Sequence, residues 1–419
     1  MSDDGEDVEA VDIEGGEEGE GYTETEHEDL GDRLQGACAG ICVGLLLFFG
    51  SFPLLFWNES RAVERYDALN EAETKTTSVD PAFLDPANEG KLLHFSANIT
   101  NGGDALVDPL FGIESGGLAL RRDAEMYQWT EKVQTTSEKK LGGGKTTTKK
   151  YTYEKEWRSS LVSSDNFKRP GNHTNPSYME FEPARFSADP IMIGAFEFPQ
   201  ELAGRINWDT PMSVAVDDIV DQSVRGRAKE SAGGGGFYFG NSTSRNPEVG
   251  DQVVGFAETP ASVVTVVGVQ SGKTVAAFVS ETGEGGDVLL FRRGEHSAAA
   301  MYDEAESQNA ALTWFLRILG WVLMTLGLYL VFRPVEVFAD IVPCVGSIIG
   351  CGIIFMAVLV SAVMSAITIS IAWLVAHPKI GGIVLVVTLS VVGCCAFGAK
   401  KLEQMRGEPD DDEKAVDDS

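Results

Sequence analysis

The large middle of this chain has no cysteine. All six thiols (Cys38, Cys42, Cys344, Cys351, Cys394 and Cys395) fall in or beside apolar runs. Residues 58–311 therefore hold no disulfide framework, no thiol nucleophile and no cysteine zinc site. Histidine is almost as scarce there, with only His94, His173 and His296, far apart and none at a metal-ligand spacing such as H-E-x-x-H. No G-x-S-x-G elbow is present, and the glycine run at 233–236 lacks the Lys-Ser/Thr of a phosphate-binding loop. Neither an enzymatic activity nor a cofactor or metal is expected. Basic residues are missing from the first thirty positions, which carry fourteen Asp and Glu, and the whole chain has a formal charge of −30. A general nucleic-acid binder needs a basic face and is excluded.

Long apolar runs are what the chain does have. A hydrocarbon core of about 30 Å takes roughly 20 apolar residues in a helix. Leu34–Trp57 meets that with no internal charge, and Leu312–Phe332 does so with Arg317 as its single charge. Ile348–Val375 is uninterrupted, and Ile380–Ala399 follows a short His377-Pro378-Lys379 break. These runs predict four transmembrane helices, at 34–57, 312–332, 348–375 and 380–399. Leu34–Trp57 begins too far in and is too long for a signal peptide, so it reads as an uncleaved anchor.

The fold class expected is α+β: four transmembrane helices with a large, mainly β lumenal domain, 58–311, inserted between spans one and two. The flanks are an acidic, disordered cytosolic tail at 1–33, a connection at 333–347 and an acidic cytosolic tail at 400–419. The leader is poor in apolar residues, which is the composition of disorder. Four spans put both termini on one face. Lys400, Lys401 and Arg406 favour the cytosolic side for the C-terminus, although Arg61 and Arg65 after span one vote the other way. Candidate N-glycosylation sites at Asn98, Asn172 and Asn241 favour a lumenal domain, while Asn58 lies too near the bilayer.

Inside the domain, Glu59–Thr76 reads as a short charged helix leaving the membrane. Strands are expected from Leu92, at Pro190–Phe198, Phe237–Phe239, Val253–Phe256, Ser262–Val269, Thr274–Val279 and Asp287–Phe291. The clearest element is a hairpin, Glu125–Val133 and Lys145–Trp157 about Gly142-Gly-Gly, whose second arm is rich in β-branched and aromatic residues. Its lysines 149, 150 and 155 read as guards of an exposed strand. Leu118-Ala-Leu-Arg-Arg before Met126-Tyr127 echoes Leu290-Phe-Arg-Arg before Met301-Tyr302, so an internal duplication is one reading.

In the spans, Arg317 is a candidate intramembrane polar contact, either snorkelling to the interface or pairing with a group on another span. Ser361, Ser365, Thr368 and Ser370, with nearby Gly352, Ala362 and Ala366, suit close helix packing. A channel, or a channel-associated membrane protein, is the alternative they leave open.

Several ordered strings carry a resemblance. They are Asn88-Glu-Gly-Lys-Leu-Leu-His94, Leu120-Arg-Arg-x-x-Glu-Met-Tyr-Gln-Trp129, Tyr151-x-Tyr-x-x-Glu-Trp-Arg158, Pro247-Glu-Val-Gly-Asp251 and Thr313-Trp-x-Leu-Arg-x-x-Gly-Trp321. Together they resemble the LUMA (transmembrane protein 43) family, from span one to span four. The resemblance implies a non-enzymatic, multi-pass scaffold of the endoplasmic reticulum and nuclear inner membrane, with its large domain lumenal and both termini cytosolic or nucleoplasmic. Its implied partners are the lipid bilayer, further copies of itself, lamins and emerin-type nuclear-envelope proteins, with no nucleic acid. The long acidic leader has no counterpart in the resemblance.

Overall fold

The computed structural model describes residues 8–13, 21–281 and 285–376, with Gly382, Ile383, Val386, Val387, Leu389, Ser390 and Gly393 beyond them. Most of the run expected as a fourth span, Ile380–Ala399, lies outside the described residues, as do the tail from Lys400 and leader positions 1–7 and 14–20. Nine strands carry the argument: β1 (Val8–Ile13), β2 (Gly21–Glu28), β3 (Leu92–Asn101), β4 (Ala119–Lys139), β5 (Lys145–Arg158), β6 (Gly236–Phe239), β7 (Gln252–Thr259), β8 (Ser262–Ser271) and β9 (Leu290–Arg293). Three long helices accompany them: α1 (Leu30–Lys75), α2 (Ala298–Ala339) and α3 (Pro343–Ala376). All three are long and apolar enough to cross a membrane. The chain is therefore a mixed helix and strand protein with three candidate membrane helices and a large sheet-rich domain.

The chain divides into two units. The first comprises residues 1–28, 68–138 and 145–306. Its larger sheet runs β1-β2-β5-β4-β7-β6 and ends on Lys229–Glu230. Strand β4 shows why it forms: Leu120, Arg122, Ala124, Met126, Gln128 and Thr130 are buried, while Asp123 and Glu125 between them are exposed, the period of two expected of a strand with one covered face. Against that face lies a phenylalanine cluster in which Phe111 meets Phe181, Phe237, Phe239 and Phe256 at 5.1, 5.8, 6.0 and 5.5 Å between ring centroids. The one charge on the buried row, Arg122, is neutralised by Asp108 at 2.6 Å and lies over the Phe111 ring.

The second sheet closes on itself. β8 pairs with β3 over eight residues and also with Thr274–Ala276, and the pairing returns to β3 through Phe196–Glu197 and Ile191–Ile193. Leu93, Phe95, Ile99, Ile193, Phe196, Val264 and Val266 fill the interior, with Phe95 and Phe196 stacked at 4.6 Å. A third core joins Ala68, Leu69 and Ala72 of α1 to Leu92, Val267, Leu290, Met301 and Tyr302.

Four expectations are corrected. The leader is not disordered throughout: Gly21–Glu28 is a strand along β5, because its alternating Glu and Thr meet lysines and threonines across the ladder. The charged stretch after Trp57 is no separate helix; nothing between Trp57 and Lys75 breaks the helical run, and Glu71–Lys75 adds a one-turn ion pair. Helix α2 passes through Arg333-Pro334 to Ala339. The proline removes one backbone donor, while the Tyr329 hydroxyl donates to Glu336 across that level at 3.1 Å. The echoed strings differ in structure, since Met126-Tyr127 lies in a strand and Met301-Tyr302 in a helix, so they mark no duplication.

Candidate functional site

The second unit, residues 29–67, 139–144 and 307–419, holds the membrane helices. Within it α1 and α2 pack closely and antiparallel. A Cβ at Gly44 would lie 2.8 Å from the Gly327 carbonyl oxygen, and one at Gly327 would lie 2.6 Å from the Phe48 nitrogen. Higher up, the buried side chain of Leu55 fills the place of a side chain at Gly320. Small residues let the two backbones meet, as in helix pairs within lipid.

A polar cluster lies above this crossing. Asn309, Thr313 and Arg317 recur every four residues and so share one face of α2. Opposite them stand Asn58, Glu59 and Arg61 of α1. Arg317 grips Glu59 with both arms, Nε to Oε1 at 2.7 Å and Nη2 to Oε2 at 2.6 Å. Trp373 of α3 donates its indole N–H to the same Oε2 at 2.8 Å, and the Trp314 ring lies 4.8 Å from the guanidinium. Glu59 is wholly buried. One carboxylate thus ties three helices together. The Asn58 amide donates to the Thr313 carbonyl at 3.1 Å, and Arg61 donates to Asn309 Oδ1 and Thr313 Oγ1, each at 3.0 Å. Asn309 returns a bond to the Ala62 carbonyl at 2.8 Å.

The serines of α3 take up packing positions. Ser361 Oγ meets Thr325 Oγ1 of α2 at 2.6 Å, and Ser365 lies against the Met324 sulfur. Thr368 and Ser370 donate to carbonyls one turn back in their own helix. At the other end of the helices, Asp340 is wholly buried and accepts from Arg33 at 2.6 Å and from Lys139 at 3.0 Å, while Lys139 also reaches Glu336 at 3.1 Å. Burial pushes the Asp340 carboxyl up, but the Arg33 and Lys139 hydrogen bonds outweigh it and hold the group below the usual carboxylate range. Gly346 and Gly350 of α3 leave room for the carboxylates of Asp340 and Glu336.

These arrangements fix helix register and offer no nucleophile beside a base. Among the described residues, no group of three or more His, Cys, Asp and Glu is placed to hold a metal. Asn98 on β3, Asn172 and Asn241 are all exposed, whereas Asn58 is buried. Arg317 therefore has a partner across the helices rather than a path to the interface. The sequence reading missed that partner: Glu59 follows Trp57 and opens a charged stretch, so it passes for part of a solvated helix.

Comparison with known proteins places these helices in a family. The family profile described as Transmembrane protein 43 matches residues 126–378, a span that includes Arg317 and Trp373 and begins after Glu59. The chain is 32% identical to human transmembrane protein 43 over 387 residues, covering 89% of this chain and 94% of the human one. It is 32% identical to the rat protein over 360 residues, 83% of this chain and 87% of that one. It is also 31% identical to the Drosophila melanogaster transmembrane protein 43 homolog over 291 residues, 68% and 74% of the two chains. No solved structure matches. With this coverage, and with three apolar helices held about one buried ion pair, the chain is a multi-pass membrane protein that belongs to the transmembrane protein 43 family.

Proposed function

We propose that this protein is a non-enzymatic membrane scaffold of the endoplasmic reticulum and nuclear inner membrane. It acts by self-association and by presenting its sheet-rich domain to partners. On this reading the domain is lumenal or perinuclear, and both tails are cytosolic or nucleoplasmic. By family resemblance, lamins and emerin-type proteins are the partners to test.

One observation carries the reading. The intramembrane charge, Arg317, is consumed in a bidentate pair with Glu59 and a third bond ties Glu59 to Trp373. Transport pathways keep ionisable groups facing water, whereas an arginine held against a buried carboxylate suits a rigid anchor. The α3 hydroxyls, which a channel would turn to a lumen, are engaged by α2 or by their own helix. The three exposed asparagines of the domain support the lumenal placement.

The test is cross-linking in native membranes followed by native electrophoresis in mild detergent, with microscopy of the tagged full chain. Oligomers at the nuclear rim and reticulum are expected. A monomer without partners would overturn the scaffold reading, and ion flux from purified protein in liposomes would replace it with the channel.

A further inference from the structure

Along β8 the side chains of Val264 and Val266 enter the interior of the closed sheet, and the period of two puts Gly268 and Gln270 on the same row. Gln270 is the polar end of that row, yet only 3% exposed. Its amide nitrogen donates to the Asp85 carbonyl at 3.0 Å. That bond fixes which way the amide faces, because a flipped amide would set oxygen against oxygen. Oε1 is thereby left buried with no donor among the described residues. Buried acceptors in native proteins are nearly all paired, so this one asks for a donor from outside the chain.

Gln270 lines a cavity of about 210 Å³ at the mouth of the closed sheet. Leu93 and Phe196 of the interior cluster line it from below, and the segment 79–90 covers it with Phe83, Asp80, Asp85 and Asn88. That segment is pinned to the sheet. Val79 donates to the His94 carbonyl at 3.0 Å, Ala195 to the Pro81 carbonyl at 2.9 Å and Gly90 to the Gln270 carbonyl at 3.0 Å. The cavity is therefore built into the fold. Asp80 and Asp85 each use one carboxylate oxygen to accept from a backbone amide, of Ala82 and Ala87, both at 2.9 Å. Their second oxygens accept no bond from the described residues, and the lining holds no lysine, arginine or histidine. Lys91, outside the lining, reaches Asn88 Oδ1 at 3.5 Å.

Ligand pockets run to about 300–1,000 Å³, so this cavity is too small for a cofactor-sized molecule and fits one side chain. Apolar walls that end on a buried acceptor, beside two carboxylates without a cation, match an alkyl stem carrying positive charge. Lysine is that group. Its compact ammonium is a point charge with three donors, whereas arginine's flat fork of five needs paired acceptors in one plane. We propose that the cavity receives a lysine side chain of a partner protein, its stem against Phe83, Leu93 and Phe196 and its ammonium donating to Gln270 Oε1 in the field of Asp80 and Asp85. The inference deepens the partner binding proposed above and rests on it for the source of the lysine.

The test uses the full chain in lipid nanodiscs and saturation-transfer magnetic resonance, with Nα-acetyl-lysine methylamide as the probe. Saturable transfer to the side-chain methylenes is expected, and little to the norleucine counterpart, which keeps the stem and lacks the ammonium. Asp80→Asn with Asp85→Asn retains an acceptor for each backbone amide and should weaken the lysine probe about fivefold or more. Gln270→Met should abolish its binding, with near-ultraviolet dichroism reporting that the domain is folded. The norleucine comparison needs no variant and decides if either one fails to fold. Equal binding of norleucine, or lysine binding unchanged in both variants, would overturn the site. Ethanolamine competing as well as the lysine probe would assign the cavity to a lipid headgroup amine and overturn the protein partner. Oligomers in the cross-linking experiment without lysine binding would overturn this site alone. Lysine binding by a monomer without partners would overturn the scaffold and the partner protein together.

Discussion

Glu59 and Arg317 stand 258 residues apart in sequence and meet through two hydrogen bonds, at 2.7 and 2.6 Å, with Trp373 closing the third side of the carboxylate. Both side chains are shielded, 1% and 19% exposed, so the pair is screened little by solvent or salt.

Glu59→Ala or Arg317→Ala should each lower stability by about 3–5 kcal/mol, because each strands a buried charge. Glu59→Leu combined with Arg317→Met should recover part of that loss, since neither member of the pair is then left facing the other's vacancy. Thermal unfolding of the purified protein in detergent, followed by size-exclusion chromatography, reads the cycle. A double-variant loss equal to the sum of the two single losses would show that the pair is not coupled.

Gly44→Ala should destabilise the helix pair by about 1–3 kcal/mol, because the new methyl meets backbone rather than a side chain that can turn aside. Gly50→Ala, which meets nothing within 4 Å, should be neutral or slightly stabilising. The same unfolding assay separates them, and indifference at Gly44 would contradict the close crossing.

Acid should weaken the large domain through Asp251. Burial pushes this carboxyl up, but donation from Ser242, Tyr238 and the Glu248 amide outweighs it and holds the group below the usual aspartate range. A lowered folded value means a stabilising contribution present above the unfolded aspartate value and lost as pH falls through the folded one. Asp251→Asn should flatten the stability curve below about pH 4, as read by near-ultraviolet dichroism of the detergent-solubilised chain.

Alkali should act through the partner group. Burial and the Asp251 carboxylate push the Tyr238 hydroxyl up to about 12. A raised value means stability present below the unfolded tyrosine value and lost as pH rises towards 12. Near pH 11 the native protein should carry fewer tyrosinates than its alkali-unfolded form, and ultraviolet titration should find that deficit about one group smaller in Tyr238→Phe than in the wild type.

In a secretory host, losing Asn98, Asn172 and Asn241 together should abolish any glycosidase-sensitive mobility shift. Asn58→Gln should leave that shift unchanged, because its amide is buried against Thr313. A shift that survives the triple replacement would place the modification elsewhere.

The apolar runs were legible because lipid imposes length and composition on a helix, and the hairpin because Gly142-Gly-Gly interrupts a β-branched run. The extent of the hairpin was hidden. From Val133 to Lys139 the strand carries no buried row, so alternation gave no signal. Arg317 stood out as the single charge in an apolar run. Glu59 did not, since hydropathy places it beyond the boundary and nothing local links it to a residue 258 positions later. The leader misled for a related reason: mean polarity measures whether a segment can collapse by itself, while Gly21–Glu28 is ordered by cations supplied from Lys145 to Lys168.

That long interval between Glu59 and Arg317 also sets a timetable for biogenesis. A ribosome adding about 5–20 residues per second takes roughly 13 to 50 seconds to make the second member of the pair. Throughout that wait the nascent first helix carries the Glu59 carboxylate without the guanidinium that neutralises it in the folded chain.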